Sequence, residues 1–225
     1  MPDVLVVVTS HDRLGDAGST GVGLQTVSAA LYALADAGAT VSIASPLGGR
    51  PPVDPLTFGE GVETESLTRY LDDPAAVELF ESSLPLPEAA EREFDGVYFA
   101  GGHGGMWDFP ADPVIDYLIA SVLDSGGYAA AVCHGVAALC GDRGVLKGRR
   151  VTGLTNKEEL LLGRDRAVPF LLQDRLAELG GTFVEAGEFT SHVVVDGQVI
   201  TGQNMRSADA TAHALLEALA AKERP

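Results

Sequence analysis

Three short stretches carry apolar residues on consecutive positions rather than on alternate ones: "DVLVVVTS" at Asp3–Ser10, "FDGVYFAGG" at Phe94–Gly102 and "YAAAVC" at Tyr128–Cys133. A strand with no polar side must be covered on both faces. Such strands belong in a parallel sheet held between two layers of helices. The segments between them fit that requirement. "GLQTVSAALYALADAG" puts Leu24, Val27, Leu31 and Leu34 on one helical face, with Gly38 placed to end the helix. "ATVSIAS" (Ala39–Ser45) is a second strand. "ADPVIDYLIASVLDSGG" begins with Asp112 suited to the N-cap and Pro113 to the first helical position. Later, Val151–Leu154 reads as a short strand, Pro169–Leu179 as a helix, "SHVVVDGQVITG" as a hairpin about Asp196–Gly197, and Ser207–Ala221 as a closing helix. Alternating strands and helices predict an α/β fold: a three-layer sandwich on a mainly parallel central sheet.

The 225 residues are read as one domain, 1–225, with no repeat or linker to divide them. Pro46–Gly61 is too rich in Pro and Gly for regular structure, and helical pieces follow at Glu65–Tyr70 and Pro74–Ser82. The span 46–93 is therefore expected to leave the sheet as an excursion or lid. A net charge of −17 argues against nucleic acid or an anionic membrane as partner, since phosphate binding needs Lys and Arg. No apolar run approaches the ~20 residues of a membrane span. The N-terminus lacks the basic start and cleavage site of a signal peptide, so a cytoplasmic, reduced protein is expected. Two cysteines make no disulfide framework, and no Cys/His cluster has zinc spacing; no metal is expected.

"YAAAVCHGVAALCGD" (Tyr128–Asp142) holds the chemistry. A strand runs straight into Cys133, and a small-residue helix follows. That is the strand-turn-helix context of a nucleophile elbow, with a cysteine as the nucleophile. It lifts the sulfur to the carboxyl edge of the sheet, where open α/β folds bind ligands. The first amides of the helix favour a negative charge there. Cys140, a turn or two later, reads as core. His134 follows the cysteine directly, and its ring can fold back toward the sulfur. A third group would then orient the ring. "TNKEEL" ends at the same sheet edge and offers Glu158 and Glu159, either of which could instead be a solvated helix-start carboxylate. In "AGGHGG" (Ala100–Gly105) the glycines let backbone amides approach a ligand oxygen. Gly102 and the N–H of His134 are candidates for an oxyanion hole. His103 either lines the site or caps the loop. The run lacks G-x-G-x-x-G spacing, and Met106, Trp107 and Pro110 are expected to interrupt any immediate helix.

Taken in order, "STGVGL", "AGGHGGMWDF", "AAVCHGVAAL", "VTGLTNKEE", "VPFLL" and "ITGQNMRSA" resemble the ThiJ/PfpI superfamily, over nearly the whole chain. More narrowly, they are similar to its heat-shock-chaperone and glutathione-independent glyoxalase (glyoxalase III) branch. The resemblance implies a flavodoxin-like, class I glutamine amidotransferase-like sandwich and a homodimer. It implies a triad of Cys133, His134 and, of the two glutamates, Glu159. It implies a small carbonyl substrate and no cofactor: methylglyoxal converted to lactate. Relatives are also described as chaperones, deglycases or hydrolases. Two further readings therefore stand beside the enzyme: a redox-sensing or holdase stress protein, and another cysteine hydrolase or hydratase.

This chain departs from the pattern at two places. The family's first helix carries a glutamate beside the nucleophile, and here that position is Thr26, with an uncharged amide, Gln25, next to it. Where a proline usually follows Cys-His-Gly, this chain has Val136. A positioned general base contributes ~10²–10⁴-fold, so the loss of the glutamate is expected to weaken turnover by that order unless His134 or His103 substitutes for it.

Overall fold

The computed structural model describes residues 1–59 and 61–222; of the expected excursion over 46–93 and the expected single unit over 1–225, Glu60 and 223–225 lie outside the described residues. The strands are β1 (Asp3–Val7), β2 (Thr40–Ser45), β3 (Leu84–Pro85), β4 (Gly96–Phe99), β5 (Tyr128–Val132), β6 (Arg150–Val151), β7 (Thr182–Phe183), β8 (Val193–Asp196) and β9 (Val199–Gly202). The helices are α1 (Leu24–Asp36), α2 (Glu65–Leu71), α3 (Pro74–Glu81), α4 (Leu86–Ala89), α5 (Gly105–Asp108), α6 (Pro113–Asp124), α7 (Asn156–Leu161), α8 (Leu172–Glu178) and α9 (Ala208–Lys222).

A seven-stranded sheet runs in the order β3-β2-β1-β4-β5-β9-β8. All its pairings are parallel except the hairpin β8–β9, which closes around Gly197 in the left-handed region. The consecutive apolar runs have the expected consequence: Val4–Val8, Val97–Phe99 and Ala129–Val132 are fully buried. Right-handed crossovers put α1, which links β1 to β2, on one face and α6, which links β4 to β5, on the other. α9 packs on α1 and on β5 and β9; α6 packs on β4 and β5. The order reverses between β1 and β4, so the carboxyl ends of β1, β4 and β5 border the crevice where such sheets bind ligands.

Local chemistry sets the helix ends. Gly38 lies in the left-handed region and donates to Ala35 O, while Ala39 donates to Leu34 O. These two bonds form a Schellman motif and satisfy carbonyls the helix leaves open. Asp112 Oδ1 accepts from Val114 N at 2.8 Å, with Pro113 in the first turn of α6.

Several expectations need correction. The stretch after the elbow, Cys133–Cys140, is a 3₁₀ helix, tighter than an ordinary α-helix. Met106 and Trp107 do not prevent helix formation: Gly105–Asp108 is a helical turn, and Pro110 lies just beyond it, where its missing N–H costs nothing. Asp108 anchors that turn by accepting from Thr9 Oγ1 and Ser10 N. The expected strand Val151–Leu154 is shorter and belongs elsewhere. Arg150–Val151 pairs with Thr182–Phe183 in a separate two-stranded sheet, and Thr152 N donates to the Thr201 side chain instead of a ladder carbonyl. The helix expected from Pro169 begins at Leu172. Within 46–93, Pro55–Phe58 makes a 3₁₀ turn capped by Asp54, and Leu84–Pro85 rejoins the sheet at its edge. Among the described residues, no helix is long and apolar enough to cross a membrane.

Candidate active site

Cys133 takes the first position after β5 with φ +56°, in the left-handed region that a side chain ordinarily avoids. Strain of about 1–2 kcal/mol at a sheet edge is what a nucleophile elbow stores. The neighbours show why the surrounding residues are small. A Cβ on Gly135 would lie 2.4 Å from Phe99 O, and one on Gly101 would lie 2.8 Å from the Cys133 Cβ. Only glycine at both positions lets the turn rest on the end of β4. Cys133 is 6% exposed and faces a cavity of about 40 Å³, also lined by Thr26, Asp54, Gly102, His103, His134 and Phe189. Cofactor and drug-sized ligands need several hundred Å³, so this space suits a molecule of a few heavy atoms.

The ring of His134 does fold back: Nδ1 lies 3.5 Å from Cys133 Sγ. Its Nε2 donates to Glu159 Oε2 at 2.7 Å. The carboxylate thus fixes the proton of the neutral ring on Nε2 and leaves Nδ1 free to receive the thiol proton. Burial and the neighbouring His103 oppose a charge on His134; Glu159 and the sulfur outweigh them and raise its pKa.

Neither glutamate is solvated, contrary to that alternative. Glu158 and Glu159 are both buried in the first turn of α7, with opposite tasks. Glu158 closes a capping box with Thr155 and accepts from Asn204 Nδ2 (2.7 Å), Gln203 Nε2 (3.1 Å) and Phe189 N (2.7 Å). It ties α7 to the loop after β9. Glu159 turns to the imidazoles.

His103 lines the site rather than merely capping its loop. Its ring packs on His134, with centroids 3.8 Å apart, and its Nε2 donates to Glu159 Oε1 at 2.8 Å. Behind it stand two residues the sequence reading missed. Arg164 NH1 donates to His103 Nδ1 at 2.9 Å and to Asp54 Oδ2 at 2.8 Å. Asp54 also accepts from Thr20 Oγ1 at 2.6 Å and from Leu56 N at 2.9 Å. Asp54 carries the 46–93 segment to the site. The one signal for it was its place before Pro55, a capping pattern within a Pro-rich loop.

Gly102 has φ +129°, and a Cβ there would meet Gly21 O at 2.3 Å. Among the described residues, neither its amide nor that of His134 donates to a backbone carbonyl outside its own helix or strand. Thr26 lies against the elbow, but its hydroxyl is engaged: it donates to Gly23 O at 2.7 Å and accepts from Gly101 N at 2.9 Å. Gln25 Nε2 is held by Thr57 O and Val62 O. Neither side chain offers a base. Cys140 is partly buried, and burial pushes its thiol up to about 12.

His103, His134 and Glu159 place donor atoms within 4.8 Å of one another. Each imidazole Nε2 is already bonded to its own carboxylate oxygen, so a cation would have to displace both bonds. The group reads as a hydrogen-bonded network.

Burial alone would raise the pKa of Glu159, but the charge of His134 and the bonds from both imidazoles outweigh it and hold the carboxyl well below its ordinary 4.5. Burial also works against the Asp54 carboxylate. Bonds from Arg164, Thr20 and Leu56 N overcome this and keep it well below 3.8. Groups so depressed add stability that is complete above those ordinary values and is lost as pH falls through the folded-state ones. His134 has the opposite sign: its contribution is complete below 6.5 and is lost as pH rises through its raised value. The urea midpoint of the wild type is therefore expected to fall more steeply below about pH 4 than that of Glu159→Gln. Parallel curves in the two proteins would mean that Glu159 contributes nothing through its charge.

A family model described as the DJ-1/PfpI family matches residues 26–218. A glutathione-independent glyoxalase of Schizosaccharomyces pombe is 32% identical over 149 residues, covering 59% of this chain and 60% of that protein. A glutathione-independent glyoxalase of Saccharomyces cerevisiae is 27% identical over 150 residues, covering 61% of this chain and 63% of that one. The matches thus span about three fifths of these relatives' length. Among solved structures, Rapid Encystment Protein 24 kDa of Francisella tularensis superimposes with a TM-score of 0.91 at 35% identity, covering 97% of this chain and 99% of that one. Glyoxalase III of Candida albicans superimposes with a TM-score of 0.85 over 96% and 97% of the two chains; at 23% identity that likeness speaks to the fold.

Proposed function

The chain belongs to the DJ-1/PfpI family, and from that premise we propose that it is a cofactor-independent cysteine enzyme that converts methylglyoxal and water to lactate. The observation that carries the reading is the continuous line from Cys133 Sγ through His134 to Glu159, starting at a strained elbow and facing a cavity of a few heavy atoms. The named glyoxalases among its relatives support the choice of substrate.

The chemistry follows from the geometry. His134 Nδ1 takes the thiol proton, and the sulfur adds to the aldehyde carbon. The amides of Gly102 and His134 face the oxygen that becomes negative. That oxygen then takes the proton back, giving a hemithioacetal and a neutral imidazole. His134 can now remove the hydrogen from the former aldehyde carbon. Returning it to the neighbouring carbon, as the hemithioacetal hydroxyl proton passes to the former ketone oxygen, gives an alcohol and leaves a thioester on Cys133. Water cleaves the thioester to lactate and free thiol. One imidazole serves every proton step, because Thr26 is bound to backbone where relatives carry a second base.

The test is lactate release from methylglyoxal without glutathione. Wild type is expected to exceed Cys133→Ala clearly; equal rates would end the reading. Thr26→Glu is expected to raise kcat by at least about tenfold, toward the range a placed base contributes. It should also lower stability by about 1–3 kcal/mol, because the amide of Gly101 loses its partner. Unchanged kcat in a folded Thr26→Glu protein would show that proton transfer between the two carbons does not limit turnover.

A further inference from the structure

Two imidazoles in contact, tilted 39° to one another, share one carboxylate, and they repel each other if both carry charge. Only one of them lies beside the sulfur. Which ring takes the proton is decided at the far side of the other. His103 Nδ1 stands 2.9 Å from Arg164 NH1. A guanidinium donates and never accepts, so Nδ1 must present its lone pair, and the single proton of His103 lies on Nε2, toward Glu159. Burial works against a second proton on His103, while the carboxylates of Asp54 and Glu159 outweigh it and draw the pKa of the ring upward. Asp54 Oδ2, however, is 3.7 Å from Nδ1, and the nearer arginine occupies the lone pair. Asp54 instead holds the arginine, through NH1 at 2.8 Å and NH2 at 3.3 Å.

We infer that Arg164, steadied by Asp54, is a positioning residue that keeps His103 neutral, so that the proton taken from Cys133 resides on His134. The inference rests on the catalytic reading above for its purpose, but not for its test. The charged or titratable groups facing His103 are Arg164, Asp54, Glu159 and His134; those facing His134 are Cys133, Glu159 and His103. Removing Arg164 leaves Asp54 as the nearest partner of Nδ1. The proton should then settle on His103, and its positive charge should make His134 harder to protonate.

The experiment is a pH titration of the full chain with ¹⁵N-labelled histidine, followed by NMR. In the wild type, His103 is expected to stay neutral with its proton on Nε2 from pH 5 to pH 8. In Arg164→Met, His103 should take the imidazolium pattern at pH 6, and the midpoint of His134 should fall by at least about one unit, a tenfold shift in its proton affinity. Arg164→Lys, which also only donates, should restore the neutral ring. The acid limb of the pH–rate profile should move with His134. An imidazolium His103 in the wild type overturns the inference, as does a neutral His103 in folded Arg164→Met. Absence of lactate formation alongside the expected titration would remove the proposed activity and leave the role of Arg164 standing.

Discussion

Cys133→Ala is expected to reduce lactate formation from methylglyoxal by about 10³-fold or more, to the rate without protein, because no later step can begin without the sulfur. The fold should survive. Alanine keeps the Cβ that already fits against Gly101, and the sulfur makes one long contact with His134. A companion variant separates chemistry from strain. Glycine ordinarily costs up to about 1 kcal/mol against alanine. At φ +56° the order should reverse, since glycine enters the left-handed region freely. Cys133→Gly should therefore be inactive yet at least as stable as Cys133→Ala. Thermal melts of the two check this. A glycine variant less stable by the usual margin would mean that the elbow stores no strain.

Glu159→Gln is expected to lower kcat by about 10²–10⁴-fold with a small change in KM. A glutamine has one acceptor oxygen for the two imidazole N–H groups that the carboxylate now receives, and it cannot balance an imidazolium. Its amide can also turn toward His134 and force the proton onto Nδ1, which blocks the base. The neighbouring residue should behave differently. Glu158 accepts from Thr155, Phe189, Gln203 and Asn204, all buried or half-buried contacts. Glu158→Gln should chiefly cost stability, by about 3 kcal/mol or more, as loss of one partner from a buried network does. Steady-state kinetics beside urea unfolding distinguish the two. Equal effects on kcat from both variants would contradict the division of labour.

The pair also shows what the sequence could convey. Two adjacent glutamates at the start of a helix look alike in a string of letters. Their spacing says that both lie in the first turn, not that one side chain turns inward to Asn204 and the other to two histidines. The elbow was legible because its grammar is local: a run of small apolar residues, a nucleophile, and a glycine two positions later. The sheet was legible for the same reason, since consecutive apolar residues admit few other arrangements. Asp54 and Arg164 were not legible. They lie 110 positions apart and meet only because the 46–93 segment folds back over the carboxyl edge of the sheet. The turn at Gly105–Asp108 is hidden in the sequence because Pro110, which looks like an interruption, lies beyond the last residue of the turn. The 3₁₀ form of Cys133–Cys140 has no signature in the apolar spacing, which fits either helix.

The most direct test of the central claim is peptide mass spectrometry on protein quenched with acid during methylglyoxal turnover, since thioesters survive acid. The account predicts a three-carbon acyl adduct on Cys133, none on Cys140, and its disappearance as substrate is exhausted. Lactate formed steadily with Cys133 unmodified throughout, or an adduct confined to Cys140, would contradict it.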